Sequence, residues 1–248
     1  APPAGGAARP PPAAPEGDGP VEIAESAAPG QNVRLPGHDL AAGARLAAAG
    51  ATVDADLALA CRLAGLTRLD IRAPAIHVAP HDDPAADWLA AGLAALGVRL
   101  VTQAGAAHLT IDWDADTPPR LALAPGGATS ATRRAGQVAL TLAPRFDAAL
   151  GALCGLIWPI LARLAGRRLA AIERPLAAKL VSTIGVTDLA LLAASPTGWR
   201  PLAVGQATLE TLLAADAVAL LGPACEGLPT GAPLAAFRLD APFAETSE

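Results

Sequence analysis

Between Pro29 and Gly65 the sequence passes from closely spaced turn signals into one helical pattern, and that transition limits what the chain can fold into. Pro36-Gly37, Gly43 and Gly50 leave only apolar pieces too brief for helices in the first half. This spacing predicts a β-rich segment with tight turns. From Val53 the period changes. Asp54 is placed to cap a helix in which Leu57, Ala60, Cys61 and Ala64 recur at helical spacing until Gly65 stops it.

Alternating signals follow. Leu69 to Val78 predicts two short strands around Pro74, and Asp83-Pro84 opens a helix to Gly97 with Trp88, Leu89, Leu93 and Leu96 on one face. Val98 to Val101 and His108 to Ile111 read as strands, joined by Thr102 to Ala107, too short for another helix. Leu121 to Leu142 reads as three short strands with turns at Pro125-Gly126-Gly127 and Arg134 to Gln137, and Ala148 to Gly166 as a helix. Strand, helix, strand predicts an α/β fold with an open sheet and flanking helices, where ligands sit beyond the carboxyl ends of the strands. From Leu180 onward, apolar runs broken by Gly or Pro predict an all-β module, a small C-terminal β-barrel.

Composition narrows the classes further. The chain is 52% hydrophobic, but mostly through alanine, with three Phe, four Trp and no Tyr or Met, which favours close packing over large cavities. The longest apolar run, Ala148 to Ala162, lies between Asp147 and Arg163 and contains Pro159. It falls short of the roughly 18 apolar residues of a membrane span and is expected to be a buried helix. The start of the chain shows no basic region followed by an apolar core, so no signal peptide is expected. Net charge is −5 and Lys179 is the only lysine, which argues against nucleic acid and leaves a small anion held by arginines. Cys61, Cys154 and Cys225 are odd in number and far apart, as expected of reduced core residues in a cytoplasmic protein.

Gly30-Gln31-Asn32-Val33-Arg34, then Gly37-His38-Asp39, Gly43, Gly50 and the helix ending at Gly65 resemble the G-x-N-[VI]-R…G-[ED]-D…G…G stretch of the molybdenum insertase family. That family comprises the molybdopterin molybdenumtransferases, or MoeA/gephyrin E-domain-like proteins. Near the end, Gly205, Leu209, Leu212, Ala215-Asp216, Glu226-Gly227-Leu228 and Gly231 resemble its G-S-G-x-L-S-S-L…A-D…E-G-L-x-x-G pattern. The resemblance implies a molybdopterin-binding-like sheet preceded by a β-rich segment and followed by the barrel. It divides the chain into a Pro/Ala-rich tail or linker (1–20), a β-rich segment plus helix (21–72), a trimmed molybdopterin-binding-like α/β domain (73–170) and the barrel domain (171–248). Val21-Glu22-Ile23 stands where the family has a strand. The implied role is molybdenum cofactor biosynthesis, with molybdopterin or its adenylylated form as ligand, Mg as a possible metal, a molybdoenzyme or pathway protein as partner, and a homodimer.

Several family motifs are replaced. Ala79-Pro80-His81-Asp82-Asp83 stands for S-T-G-D-E-L, and Asp112-Trp113-Asp114-Ala115-Asp116 for the phosphate-cradling S-G-G-V-S-x-G loop. Both lysines of K-P-G-K-P are absent around Pro125-Gly126-Gly127, and Ala143-Pro144-Arg145-Phe146-Asp147 replaces L-P-G-N-P. These departures imply a degenerate relative, an inactive binding, scaffold or chaperone subunit, as the alternative to an active molybdotransferase.

The candidate catalytic residues are Asp39, Asp82 and Asp83, with Asp39 also able to hold Mg. The candidate ligand-binding residues are Asn32, Arg34, Gly126, Gly127, Ser130, Arg133 and Arg134. Asp39 and Arg34 equally suit a salt bridge pinning a turn. Thr129, Ser130, Thr132, Arg133 and Arg134 beside the glycines suit either a phosphate or a solvated hairpin. His77, His81, Asp82 and Asp83 are metal-ligand types, but Pro80 breaks the helical context that His77 and His81 need to share a face.

Overall fold

The computed structural model describes residues 36–48, 50–118, 120–134 and 137–244. Contacts divide the chain into two units, Ala1–Ala44 and Arg45–Glu248. In the first unit, residues 36–44 form turns, with Gly37 and Gly43 at φ 83° and 80° and the Ala44 N–H donating to the Ala41 carbonyl at 3.0 Å. These 36–44 residues include no strand; the tail and the strand expected at 21–23 lie outside the described residues.

The second unit begins with α1 (Ala55–Leu63). The Asp54 side chain caps it by accepting from the Leu57 N–H at 2.8 Å, meeting a donor the helix cannot satisfy itself. The strand expected around Leu69 does not form, and pairing begins at β1 (Ala75–Val78). Asp83 caps α2 (Pro84–Ala95), with Pro84 in the first turn, where its missing N–H costs nothing. β2 (Arg99–Leu100), a 3₁₀ turn (Ala104–Ala106), β3 (Leu109–Trp113), β4 (Leu123–Ala124), β5 (Thr129–Arg134) and β6 (Gln137–Leu142) follow. The first sheet has the order β2-β1-β3-β6-β5, parallel except for β5.

Register gives this sheet two unlike faces. Ile76, Leu109 and Val138 align, as do Val78, Ile111 and Leu140, on the face that joins Leu89 and Leu93 of α2 in the core. His77, Thr110 and Ala139, then Asp112, Thr141 and Ser130, align on the other. A doubly wound sheet normally has helices on both faces. Here the β2–β3 connection carries only the 3₁₀ turn, and the face that a helix would cover is made of small and polar residues.

After β6 the chain runs as one helix, Phe146–Ala165, which starts two residues before the helix expected from Ala148 and stops, as expected, at Gly166. It consists of α3 (Phe146–Ala152), a π-helical turn (Leu153–Ile157) and α4 (Trp158–Ala165), and Gly166 closes it at φ 68°. The widened turn sits just before Pro159, whose absent N–H would break a regular ladder. At 20 residues the helix is long and apolar enough to cross a membrane. In this fold it is a core helix: Leu150, Ile157 and Trp158 pack with Ile111 and Leu140 of the first sheet and with Leu189, Leu191 and Val218 of a second.

That second sheet takes β7 (Ala171–Pro175), β9 (Thr187–Ser195), β10 (Gly198–Val204), β11 (Ala217–Leu221) and β13 (Pro233–Arg238), in the order β10-β9-β11-β13-β7. β8 (Leu180–Val181) pairs with β12 (Gly227–Leu228), and α5 (Leu209–Leu213) joins β10 to β11. The sheet curls until its edges meet at one bridge, Leu176 with Trp199, where the Ala177 N–H donates to the Trp199 carbonyl at 2.8 Å. It is barrel-like with a single-bridge seam. Leu180, Leu192, Trp199 and Leu234 fill its own core. β4 comes from between strands of the first sheet yet pairs with β9 at Thr187 and Asp188, below the stretch that β10 covers.

Candidate functional site

Strand order reverses between β1 and β3, so the carboxyl ends of these strands mark the crevice where an open α/β sheet usually holds its ligand. Trp113 bridges it. Its indole Nε1–H donates to the Ala79 carbonyl at 2.9 Å, while the Ala79 N–H donates to the Ile111 carbonyl at 2.8 Å. The His81 ring lies 6.0 Å from the Trp113 ring, and His81 Nδ1 accepts from the Asp83 N–H at 3.0 Å. The place where a βα loop would open toward a phosphate is thus occupied by an indole and an imidazole.

The surrounding edge is acidic. Asp82 is exposed, and Asp83 uses its carboxylate on the Ala85 N–H at 2.8 Å to cap α2. Asp114 accepts from the Asp116 N–H at 3.0 Å, closing a turn after β3. Arg145 precedes α3 and forms a two-pronged pair with Asp147, Nε to Oδ1 at 3.0 Å and Nη2 to Oδ2 at 2.5 Å. Burial pushes the Asp147 carboxyl up, but the Arg145 hydrogen bond and charge, with the Ala148 N–H, pull it further down, leaving it below the usual value. The same pair raises the Arg145 guanidinium. The Arg145 charge is therefore already committed to Asp147.

Gly126 and Gly127 form the turn before β5, also at this edge. Gly126 has φ 114° and lies against the core helix: a Cβ on Gly151 would come within 2.9 Å of Gly126 Cα and closer still to the Pro125 carbonyl. The Gly127 carbonyl accepts from the N–H of Arg120 at 2.9 Å and of Leu121 at 3.3 Å. Ser130 is half-buried on the polar face beside Thr141. Arg133 pairs with Val138 at the far end of β5, about 13 Å from Thr129 at the rise of a strand. The structure brings the glycines and Ser130 to one edge and carries Arg133 to the opposite one. The Arg134 backbone ends β5 there; its side chain, like Asn32 and Arg34, lies outside the described residues. Asp39 is exposed in the first unit.

His77 and His81 have separate partners, since His77 Nδ1 donates to the Val101 carbonyl at 3.0 Å. Among the described residues no three His, Cys, Asp or Glu side chains are placed to hold a metal ion. Residue types alone did not single out Trp113 or Arg145 as edge-forming residues. Thr117 was missed likewise; its hydroxyl in the loop after β3, like that of Thr129 at the start of β5, is buried without a partner. A lone Trp between aspartates was the available signal for the first.

No protein-family model matches the sequence, and no curated protein matches it. Solved structures do match in fold. A molybdopterin biosynthesis MoeA protein from Pyrococcus horikoshii aligns with a TM-score of 0.65 at 16% identity, over 88% of this chain and 68% of that one. A molybdenum cofactor biosynthesis protein from Pyrococcus furiosus gives 0.56 at 13% identity, covering 81% of each chain. A second Pyrococcus horikoshii MoeA structure gives 0.57 at 13% identity, over 85% of this chain and 66% of that one. The chain has a MoeA-like fold.

Proposed function

We propose that this protein acts in molybdenum cofactor biosynthesis as a cytoplasmic MoeA-like protein that binds molybdopterin or its adenylylated form. The observation that carries this reading is the fold likeness to a MoeA protein over 88% of the chain. The carboxyl edge favours a binding, scaffold or chaperone subunit for a molybdoenzyme system over an active molybdotransferase. Trp113 bridges the crevice, Asp83 is spent on a helix cap and Arg145 on Asp147. Free carboxylates at the same edge repel a phosphate. In the second unit the candidate residues are Asp82, the Gly126-Gly127 turn and Ser130; Asn32, Arg34 and Asp39 are candidates of the first unit, taken by itself. Arg133 and Arg134 sit too far along β5 to share that ligand's phosphate. The finer division at residues 72 and 170 and a homodimer belong to the same reading.

The test is to purify the protein from a molybdopterin-producing extract, release any bound pterin, oxidise it and read its fluorescence, then add molybdate and assay for finished cofactor. Bound pterin without conversion is expected. Conversion would refute the scaffold form, and absence of pterin would refute the ligand.

A further inference from the structure

With the crevice between β1 and β3 bridged, the carboxyl edge remains open on the other flank of β1. A groove of about 260 Å³ lies there, lined by His77, Val78, Pro80, Ala90, Leu100, Val101 and Thr102. It exists because β2 stops early. Pairing runs Ala75 with Arg99 and Ile76 with Leu100, and the Val101 N–H still donates to the Ile76 carbonyl at 2.9 Å. One residue further, the Val101 carbonyl would meet the Val78 N–H; it accepts from the His77 ring instead.

Alternation fixes what this leaves. The Ala75 carbonyl and the Ala79 N–H face β3, while the Pro74 and Ile76 carbonyls face β2. The main-chain N–H and C=O of Val78 therefore point to the β2 side, past its end, and no described residue meets them. A donor and an acceptor from one residue thus open side by side between apolar walls. Pro80, the next residue with that orientation, has no N–H, so an added peptide strand would gain one residue of ladder and no more. No charged side chain lines the groove, so the group it takes is neutral.

We propose that this groove is a binding site for a small, flat, neutral heterocycle carrying a lactam edge, its N–H donating to the Val78 carbonyl and its C=O accepting from the Val78 N–H. A pterin ring carries such an edge, but the assignment stands on the groove alone and holds for any lactam of that size.

The test uses 2-pyridone, which has the edge, and N-methyl-2-pyridone, which lacks the N–H, each titrated into ¹⁵N-labelled full-length protein and followed by amide shifts. Saturable shifts centred on Val78, Val101 and Thr102 are expected with 2-pyridone, and roughly fivefold weaker binding of the N-methyl compound for the one hydrogen bond lost. Ala90→Leu, a good helix former at a half-buried position of α2, fills the groove and should abolish the 2-pyridone shifts while the rest of the spectrum stays native. Equal binding of the two compounds overturns the assignment. So do shifts that map elsewhere, persistence in Ala90→Leu, or no shift up to about 50 mM 2-pyridone, beyond the millimolar range of so small a ligand. A Val78 response without pterin from the extract, or the reverse, separates this site from the cofactor role.

Discussion

The seating of the Pro125-Gly126-Gly127 turn on the core helix can be tested by making one substitution in two places. Gly92 in α2 and Gly151 in α3 are both helical, and replacing either with alanine gains helix propensity of up to about 1 kcal/mol. At Gly92 a Cβ meets nothing within 4 Å, so Gly92→Ala should stabilise by about 0.5–1 kcal/mol. At Gly151 the same atom falls within 2.9 Å of Gly126 Cα and overlaps the Pro125 carbonyl, and main chain cannot swing aside as a side-chain tip can. Overpacking of this kind costs about 1–3 kcal/mol and outweighs the propensity gain. The propensity gain cancels, so the two variants should differ by about 1–3 kcal/mol in urea unfolding, on the order of a 1 M separation of midpoints. Both should keep the parent slope. If Gly151→Ala unfolds no earlier than Gly92→Ala, the turn does not rest on the helix, and the account of why both glycines occupy that contact fails.

Other outcomes follow from the caps, the ion pair and the thiols. Asp83→Ala should lose about 1 kcal/mol and Asp83→Ser much less in the same urea assay, because serine can still accept from the Ala85 N–H. Asp147 is held below its ordinary value by Arg145, so the pair's contribution is fully present above the unfolded carboxyl value of about 3.9 and is lost as pH falls through the lower folded value. The stability difference between parent and Arg145→Gln should accordingly be constant from about pH 7 to 5 and shrink in stronger acid. Burial pushes the Cys154 thiol well up, whereas Cys225 is only half-buried. A thiol reagent should label Cys225 in the native protein and Cys154 only on unfolding, as read by mass spectrometry.

Signals carried within a few residues were legible. Asp54 and Asp83-Pro84 mark helix starts because a cap acts through its neighbours' N–H groups, and Gly65 and Gly166 mark ends because their left-handed backbone suits glycine. Signals carried by pairing were not. β12 is two residues long, and the partner of β4 lies more than sixty residues onward, at Thr187 and Asp188. The candidate site shows the same limit. Gly126 to Arg134 looks like one phosphate-binding run in sequence, but an extended strand separates its ends by the height of the sheet. Asp83 was read as a catalytic carboxylate from the family resemblance and also as a helix start from its position, and only its hydrogen bond shows where the carboxylate is used.

β4 has a mechanical consequence. Its residues leave the first sheet after β3, add a parallel strand to β9 of the second, and return to form β5. The two sheets are threaded through one another rather than joined end to end, and the helix Phe146–Ala165 is clamped between them. A single cut near Gly166 would sever the chain without freeing either part, because Leu123 and Ala124 would still be laced to Thr187 and Asp188. Fragments expressed from the two sides of that cut would complement each other as a noncovalent pair, and neither would fold to this structure alone.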